Sequence, residues 1–231
     1  MNGPVYAMGA GACMAGVMDM KRPVLIVFDL DGTLTDSALL GRVLFKRVFA
    51  LMGYGEISDE LADSFNGPSA DEVCRIMGID GARRETYNRL IDEIETELVQ
   101  TSGIVYPSVV EMLSALYPHA HLAILTNGAP SYLKTCMETF GFEPYIGLRN
   151  GYVAGVSKAV RIMQWEREIA AQRVIVVRDR KSDIDNARAA GAYAVGVTYG
   201  MGTKEELIGA DVLCASAEQV TAACMDVMSR L

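Results

Sequence analysis

The stretch VLIVFDLDGTLTDS, residues 24–37, decides how this chain is read. Five apolar residues, Val24 to Phe28, run directly into Asp29. A second acid, Asp31, follows two positions later, then Gly32, Thr33 and Thr35. A continuous apolar run of this length, bounded by polar residues, suits a strand buried on both faces, as in a parallel sheet. Two carboxylates at the mouth of such a strand repel each other unless a cation lies among them. Their presence there points to chemistry at the strand's end.

Working outward, three more runs read as strands: LAILT (122–126), VIVVRD (174–179) and YAVGV (193–197). Helical patterns fall between and after them, over 107–117, 129–140, 157–170, 183–190 and 203–209. This alternation predicts an α/β fold, a doubly wound parallel-sheet (Rossmann-like) core. One insertion breaks the rhythm. Between the first two strands the chain reads as wholly helical, and Tyr87, Leu90, Ile91, Ile94 and Leu98 form one helical stripe. The expected organisation is a loose leader over 1–22, a core of 23–36 and 104–231, and a helical cap domain over 37–103.

Composition sets outer bounds. The chain has 231 residues, 51% of them hydrophobic, enough for a full core. Its formal net charge of -8 disfavours a nucleic-acid groove or an anionic membrane as partner. Five scattered cysteines (Cys13, Cys74, Cys136, Cys214, Cys224) form no C-x-x-C pair and read as reduced thiols of a cytoplasmic protein. The opening MNGPVYAMGAGACMAGVMDM has no Lys or Arg and a glycine-interrupted apolar centre, unlike a secretory signal. Met18 and Met20 are alternative starts. No apolar run is long enough to span a bilayer. A monomer or homodimer is expected.

In an open parallel sheet, ligands sit beyond the carboxyl ends of the strands. Asp29 lies at one such end, Asp179 at another with Asp183 four residues on, and Thr126 and Asn127 at a third. Clustered carboxylates at these ends suit a hard dication such as Mg²⁺, which also binds substrate phosphate. A carboxylate can attack phosphorus, and a second acid can protonate the leaving group and then activate water.

The segment DLDGTLTDS resembles the first signature of the haloacid dehalogenase-like hydrolases, Asp-x-Asp-x-Thr after a strand. LTN (125–127), Lys158 and RDRKSDIDNARAAG (178–191) follow in the order of that family's other signatures. YPSVVEMLSAL and GVTYGMG resemble phosphoglycolate phosphatase-type members with a helical cap. The resemblance implies Asp29 as nucleophile and metal ligand. It implies Asp31 as general acid and base, its carbonyl also touching Mg²⁺. Gly32, Thr126 and Asn127 would hold phosphate oxygens, Lys158 would neutralise the phosphoryl charge, and Asp179 would bind metal with Asp183 supporting the catalytic group. A Mg²⁺-dependent phosphatase of a small phosphorylated metabolite is the expected function.

Two places depart from the family pattern. Arg178 stands where Gly, Ser or Glu is usual, and Lys158 is followed by Ala159 rather than proline. A long Arg stem readily carries its charge to water, so an outward Arg178 is expected. Other readings compete. A phosphosugar mutase of β-phosphoglucomutase type carries a histidine ten positions after the second acid, where this chain has Gly41. A signalling receiver would lack the helical insertion, and dehalogenase and phosphonatase branches lack the second acid. A catalytically weak phosphate-binding member is the third possibility. Asp183 alternatively reads as a helix N-cap, Lys158 as a solvated helix-start lysine, and Trp165 as core. His119 and His121 flank the wrong end of their strand for catalysis. Substrate selection is expected from the 65–72 loop or from Arg42, Lys46 or Arg47.

Overall fold

A computed structural model describes residues 23–231, the side chains of Ser182 and Asp183 excepted. The leader expected over 1–22 lies outside the described residues. Six strands form one sheet: β1 (Val24–Phe28), β2 (His121–Leu125), β3 (Ile146–Asn150), β4 (Arg173–Arg178), β5 (Tyr193–Val197) and β6 (Val212–Cys214). Every pairing is parallel, and the order is β3-β2-β1-β4-β5-β6. The expected doubly wound, Rossmann-like α/β fold is the fold observed. The chain builds outward from β1 to one side, then returns to build the other side from β4. That reversal opens a crevice between the ends of β1 and β4, the usual place for a ligand.

Alternation along the strands feeds two cores. Ile26, Phe28, Ile175 and Val177 pack beneath α5 (Val109–Leu116), α6 (Pro130–Thr139) and α9 (Ala217–Ser229). Leu25, Val27, Val174 and Val176 pack beneath α7 (Lys158–Glu168) and α8 (Lys181–Ala189), together with Trp165. Because both faces are covered, the strands read as continuous apolar runs.

Between β1 and α5 lie α1 (Ala38–Leu51), α2 (Asp59–Asp63), α3 (Ala70–Met77) and α4 (Gly81–Ser102). They enclose a separate apolar cluster that includes Leu44, Phe45, Phe49, Phe65, Tyr87 and Ile94. Phe45 and Phe65 meet edge-to-face with ring centroids 5.3 Å apart. The stripe read from the sequence supplies this cluster: Tyr87, Leu90, Ile94 and Leu98 are buried, and Ile91 packs at its margin.

Some elements escaped the sequence reading. β3, with Gly147 and Arg149, is an edge strand with alternating burial, and β6 is three residues long. β3 carries no apolar run, and that of β6 is too short to mark a strand. α9 places Val220, Cys224 and Val227 on one face and was legible in principle. The helix expected over 203–209 is instead a turn. Thr203 and Glu206 cap each other, but the backbone bonds that follow span three residues rather than four. Gly209, at φ 107°, then ends the segment before a helical turn can close. Among the described residues no helix is long and apolar enough to cross a membrane.

Candidate active site

The loop after β1 is tied to itself. The carbonyl of Leu30 accepts from the backbone of Thr33, Leu34 and Thr35 and from the Thr35 hydroxyl at 3.2 Å. Leu30 and Leu34 are fully buried and anchor the loop, and Asp31 between them lines the cleft. Gly32 takes φ 74°, and a Cβ there would stand 2.1 Å from Oδ2 of Asp179. Only glycine fits this turn, for both reasons.

Asp29 and Asp179 are both buried at the ends of neighbouring strands. Oδ1 of Asp29 accepts from the Leu30 amide at 3.0 Å, and Oδ2 of Asp179 accepts from the Met201 amide at 2.9 Å. Met201 belongs to the TYGMG loop, whose Gly200 and Gly202 let the backbone close on Asp179. A Cβ at Gly202 would lie 1.8 Å from the Asp179 carbonyl.

Lys158, the first residue of α7, reaches over the sheet so that Nζ stands 3.3 Å from both carboxylate oxygens of Asp29. Ser157 caps that helix by accepting from the Val160 amide, which fixes where the lysine begins. Thr126 and Asn127 follow β2. The Thr126 hydroxyl donates to Oδ2 of Asp31 at 3.3 Å and accepts from the Gly128 amide at 3.0 Å. Asn127 donates to the Gly67 carbonyl at 2.9 Å, joining the core to the 65–72 loop. Asp29, Asp31, Thr126, Asn127, Lys158 and Asp179 thus line one cleft of about 350 Å³. Asp183 falls within α8, but its side chain lies outside the described residues.

Arg178 does not turn to solvent. Its side chain is fully buried, with one guanidinium nitrogen 3.5 Å from Oδ2 of Asp29 and 3.5 Å from the Leu125 carbonyl. The pleat explains the correction. Residue 178 shares a face with Val174 and Val176, a face covered by packed helices, so the stem has no path to water. Asp29 therefore meets two cations, Lys158 and Arg178.

Sequence reasoning missed three participants. Tyr132 of α6 donates its hydroxyl to Oδ1 of Asp31 at 2.5 Å, and burial pushes that phenol well above its usual range. The Met201 amide is the second, and Glu95 of α4 the third. Glu95 is half-buried, yet the packed protein around it desolvates the carboxyl and raises it well above the carboxylate range; the charges of Asp31 and Asp92 add to this. No local signal marks Tyr132 or Glu95, whereas Met201 lies within the GVTYGMG segment.

The three basic residues considered for substrate selection are committed elsewhere. Arg42 pairs with Asp63 and Asp59, Lys46 with Asp59, and Arg47 with Glu97. The 65–72 loop does face the cleft, through Asn66, Gly67, Pro68 and Glu72.

The donor chemistry suits Mg²⁺. Asp29 and Asp179 offer hard carboxylate oxygens at the ends of adjacent strands, and the missing side chain at Gly32 lets the loop after β1 close against Asp179. Among the described residues no three His, Cys, Asp or Glu side chains gather as a metal cluster. A dication here would draw on the two carboxylates, the Asp31 backbone and water.

Comparison with known proteins agrees with this geometry. The chain is 27% identical over 207 residues to a phosphoglycolate phosphatase of Vibrio cholerae, covering 83% of this chain and 92% of that one. Its fold matches a haloacid dehalogenase-like hydrolase of Streptococcus pneumoniae with a TM-score of 0.75 at 20% identity, over 87% and 97% of the two chains. It also matches CbbY of Rhodobacter sphaeroides, solved with phosphate, at a TM-score of 0.72 and 18% identity over 85% and 95%. The family model for haloacid dehalogenase-like hydrolases matches residues 26–197, so the chain that carries this cleft belongs to that family.

Proposed function

We propose that this chain hydrolyses a small phosphate monoester with the help of Mg²⁺, through a phosphoryl group carried on Asp29. The observation that carries the reading is the Lys158 ammonium, 3.3 Å from both oxygens of Asp29, with the carboxylate of Asp31 held two residues on. Bound at Asp29 and Asp179, Mg²⁺ would offset phosphoryl charge. Asp29 attacks phosphorus, and the ester bond breaks as Asp31 gives its proton to the leaving oxygen. Asp31 then takes a proton from water, which attacks the phosphoryl group and restores Asp29. Thr126, Gly32 and Asn127 orient the phosphoryl oxygens, and Lys158 meets their charge. Asp183 is proposed to support this centre from α8. The segment 37–103 is proposed to act as a cap over the cleft, and a cytoplasmic monomer or homodimer is the setting that fits.

The test is Mg²⁺-dependent release of phosphate from p-nitrophenyl phosphate, with borohydride trapping of a phosphorylated Asp29 peptide. A second reading, a catalytically weak phosphate-binding member, draws on Arg178, whose charge shares Oδ2 of Asp29. Phosphate binding without turnover would favour it. The mutase reading is not favoured. Position 41 is glycine, where the mutases carry a histidine, and its bare backbone is approached by the side-chain oxygen of Asn66, 1.9 Å from where a Cβ would stand.

A further inference from the structure

Beyond Asp31 the cleft continues into a smaller cavity of about 90 Å³ beneath the helical insertion. That is well under the ~300–1,000 Å³ of pockets for drug-sized ligands, so it admits a leaving group of a few heavy atoms. Leu40, Leu44, Phe45 and Phe65 form its apolar wall. Among the described residues, the charged side chains lining it are Asp31 and Glu95, both acidic. The nearest cations of α1 are already paired with Asp59, Asp63 and Glu97.

Resting on the phosphatase reading above, we propose that Glu95 selects the substrate. The leaving group is a small alcohol bearing a hydrogen-bond donor, either hydroxyl or ammonium, and no carboxylate. The phosphoryl group sits at Asp29 and Lys158, and the ester oxygen must face Asp31. The rest of a short alcohol then extends past Asp31 and Tyr132 into the cavity that Glu95 lines. A carboxyl oxygen there accepts a hydrogen bond from a hydroxyl or an ammonium. A substrate carboxylate would enter a cavity lined by two acidic side chains and no cation, so the loss of its hydration would go uncompensated. This separates the chain from relatives whose names specify phosphoglycolate, a carboxylate-bearing ester.

The test is a matched series of esters: 2-hydroxyethyl phosphate, 2-aminoethyl phosphate, n-propyl phosphate and phosphoglycolate. For the wild-type protein with Mg²⁺, kcat/KM for the better donor-bearing ester is expected to exceed that for phosphoglycolate at least tenfold, and that for n-propyl phosphate several-fold. The hydroxyl and ammonium arms decide which donor is used. In Glu95→Gln the preference over phosphoglycolate should shrink at least fivefold, read as a ratio within one protein. Glu95→Ala gives the same reading should the amide fold poorly. Phosphoglycolate as the best ester, or a ratio that Glu95→Gln and Glu95→Ala leave unchanged, would overturn the proposal while the phosphatase reading stands. No turnover of any ester, p-nitrophenyl phosphate included, would instead remove that reading and this proposal with it.

Discussion

Arg178 and Asp29 meet at the carboxyl ends of the two central strands, guanidinium nitrogen to carboxylate oxygen at 3.5 Å, with the arginine wholly sealed from solvent. The carboxylate proposed to attack phosphorus is therefore also a structural counter-ion. Lys158 approaches the same carboxylate from the cleft side, so Asp29 holds two positive charges near the end of β1.

Asp29→Asn is expected to abolish turnover and also to lower stability. Removing one partner of a buried pair leaves the other's charge less well compensated, at a cost of up to about 3 kcal/mol. For a chain of this size that corresponds to roughly 6–12 °C in Tm. Thermal melts of both proteins check it, alongside the phosphate-release assay. An unchanged Tm would mean that other groups carry the arginine's charge, and more than a few per cent residual activity would remove Asp29 as nucleophile.

Arg178→Gly should tighten Mg²⁺ binding, because it removes a like charge from beside Oδ2 of Asp29. An increase of tenfold or more in affinity is expected, equivalent to ~1.4 kcal/mol. Calorimetric titration of Mg²⁺ into each protein measures this without any turnover. The metal-free variant should melt lower, since the buried stem leaves a void. Equal Mg²⁺ affinities in the two proteins would show that the guanidinium does not compete.

Tyr132→Phe deletes the hydroxyl that donates to Oδ1 of Asp31 and leaves the ring in place. A hydrogen bond to a charged group contributes about 1.5–3 kcal/mol, so kcat should fall roughly tenfold to a hundredfold. KM should stay within about twofold, since the hydroxyl orients the acid rather than the phosphate. Asp31→Asn removes the acid itself and should cost about 10²–10⁴ in kcat. A larger loss in Tyr132→Phe than in Asp31→Asn would contradict the positioning role.

Glu95 gives a pH test. Its folded carboxyl titrates above the unfolded value of about 4.3, because burial disfavours the charged form. Below that unfolded value both states are protonated and the group contributes no penalty. As pH rises above it the unfolded chain ionises first, so the wild-type fold loses stability until the folded group also ionises. Glu95→Gln does not titrate. Its Tm relative to wild type should therefore rise between pH 5 and pH 8, and a constant difference across that range would show that the carboxyl is not held neutral.

How much of this was legible in the sequence follows from where the information lies. Asp29, Asp31, Gly32 and the threonines share one short window, and the apolar run before them announces a strand buried on both faces. Local pattern is enough there, because a strand end and the loop after it are set by residues that are neighbours in the chain. The sheet's class was legible for the same reason, apart from β3 and β6, which sit at the edges and bury too little to need apolar runs.

Beyond Thr126 and Lys158, what surrounds those acids was not legible. Tyr132 reaches Asp31 from 101 positions away, and Glu95 joins them only because α4 packs beside α6 above the sheet. Arg178 shows the difference most plainly. Its place at the end of an apolar strand could be read from VIVVRD, and an exposed arginine would have been the cheaper choice for an isolated strand. Packed helices closed the route to water, and Asp29, delivered by the neighbouring strand, gave the charge a partner. The sequence by itself determined which acids end the strands. Only the tertiary structure decided that Arg178 joins Lys158 in facing them, because burial and pairing belong to the assembled sheet and to no single stretch of the chain.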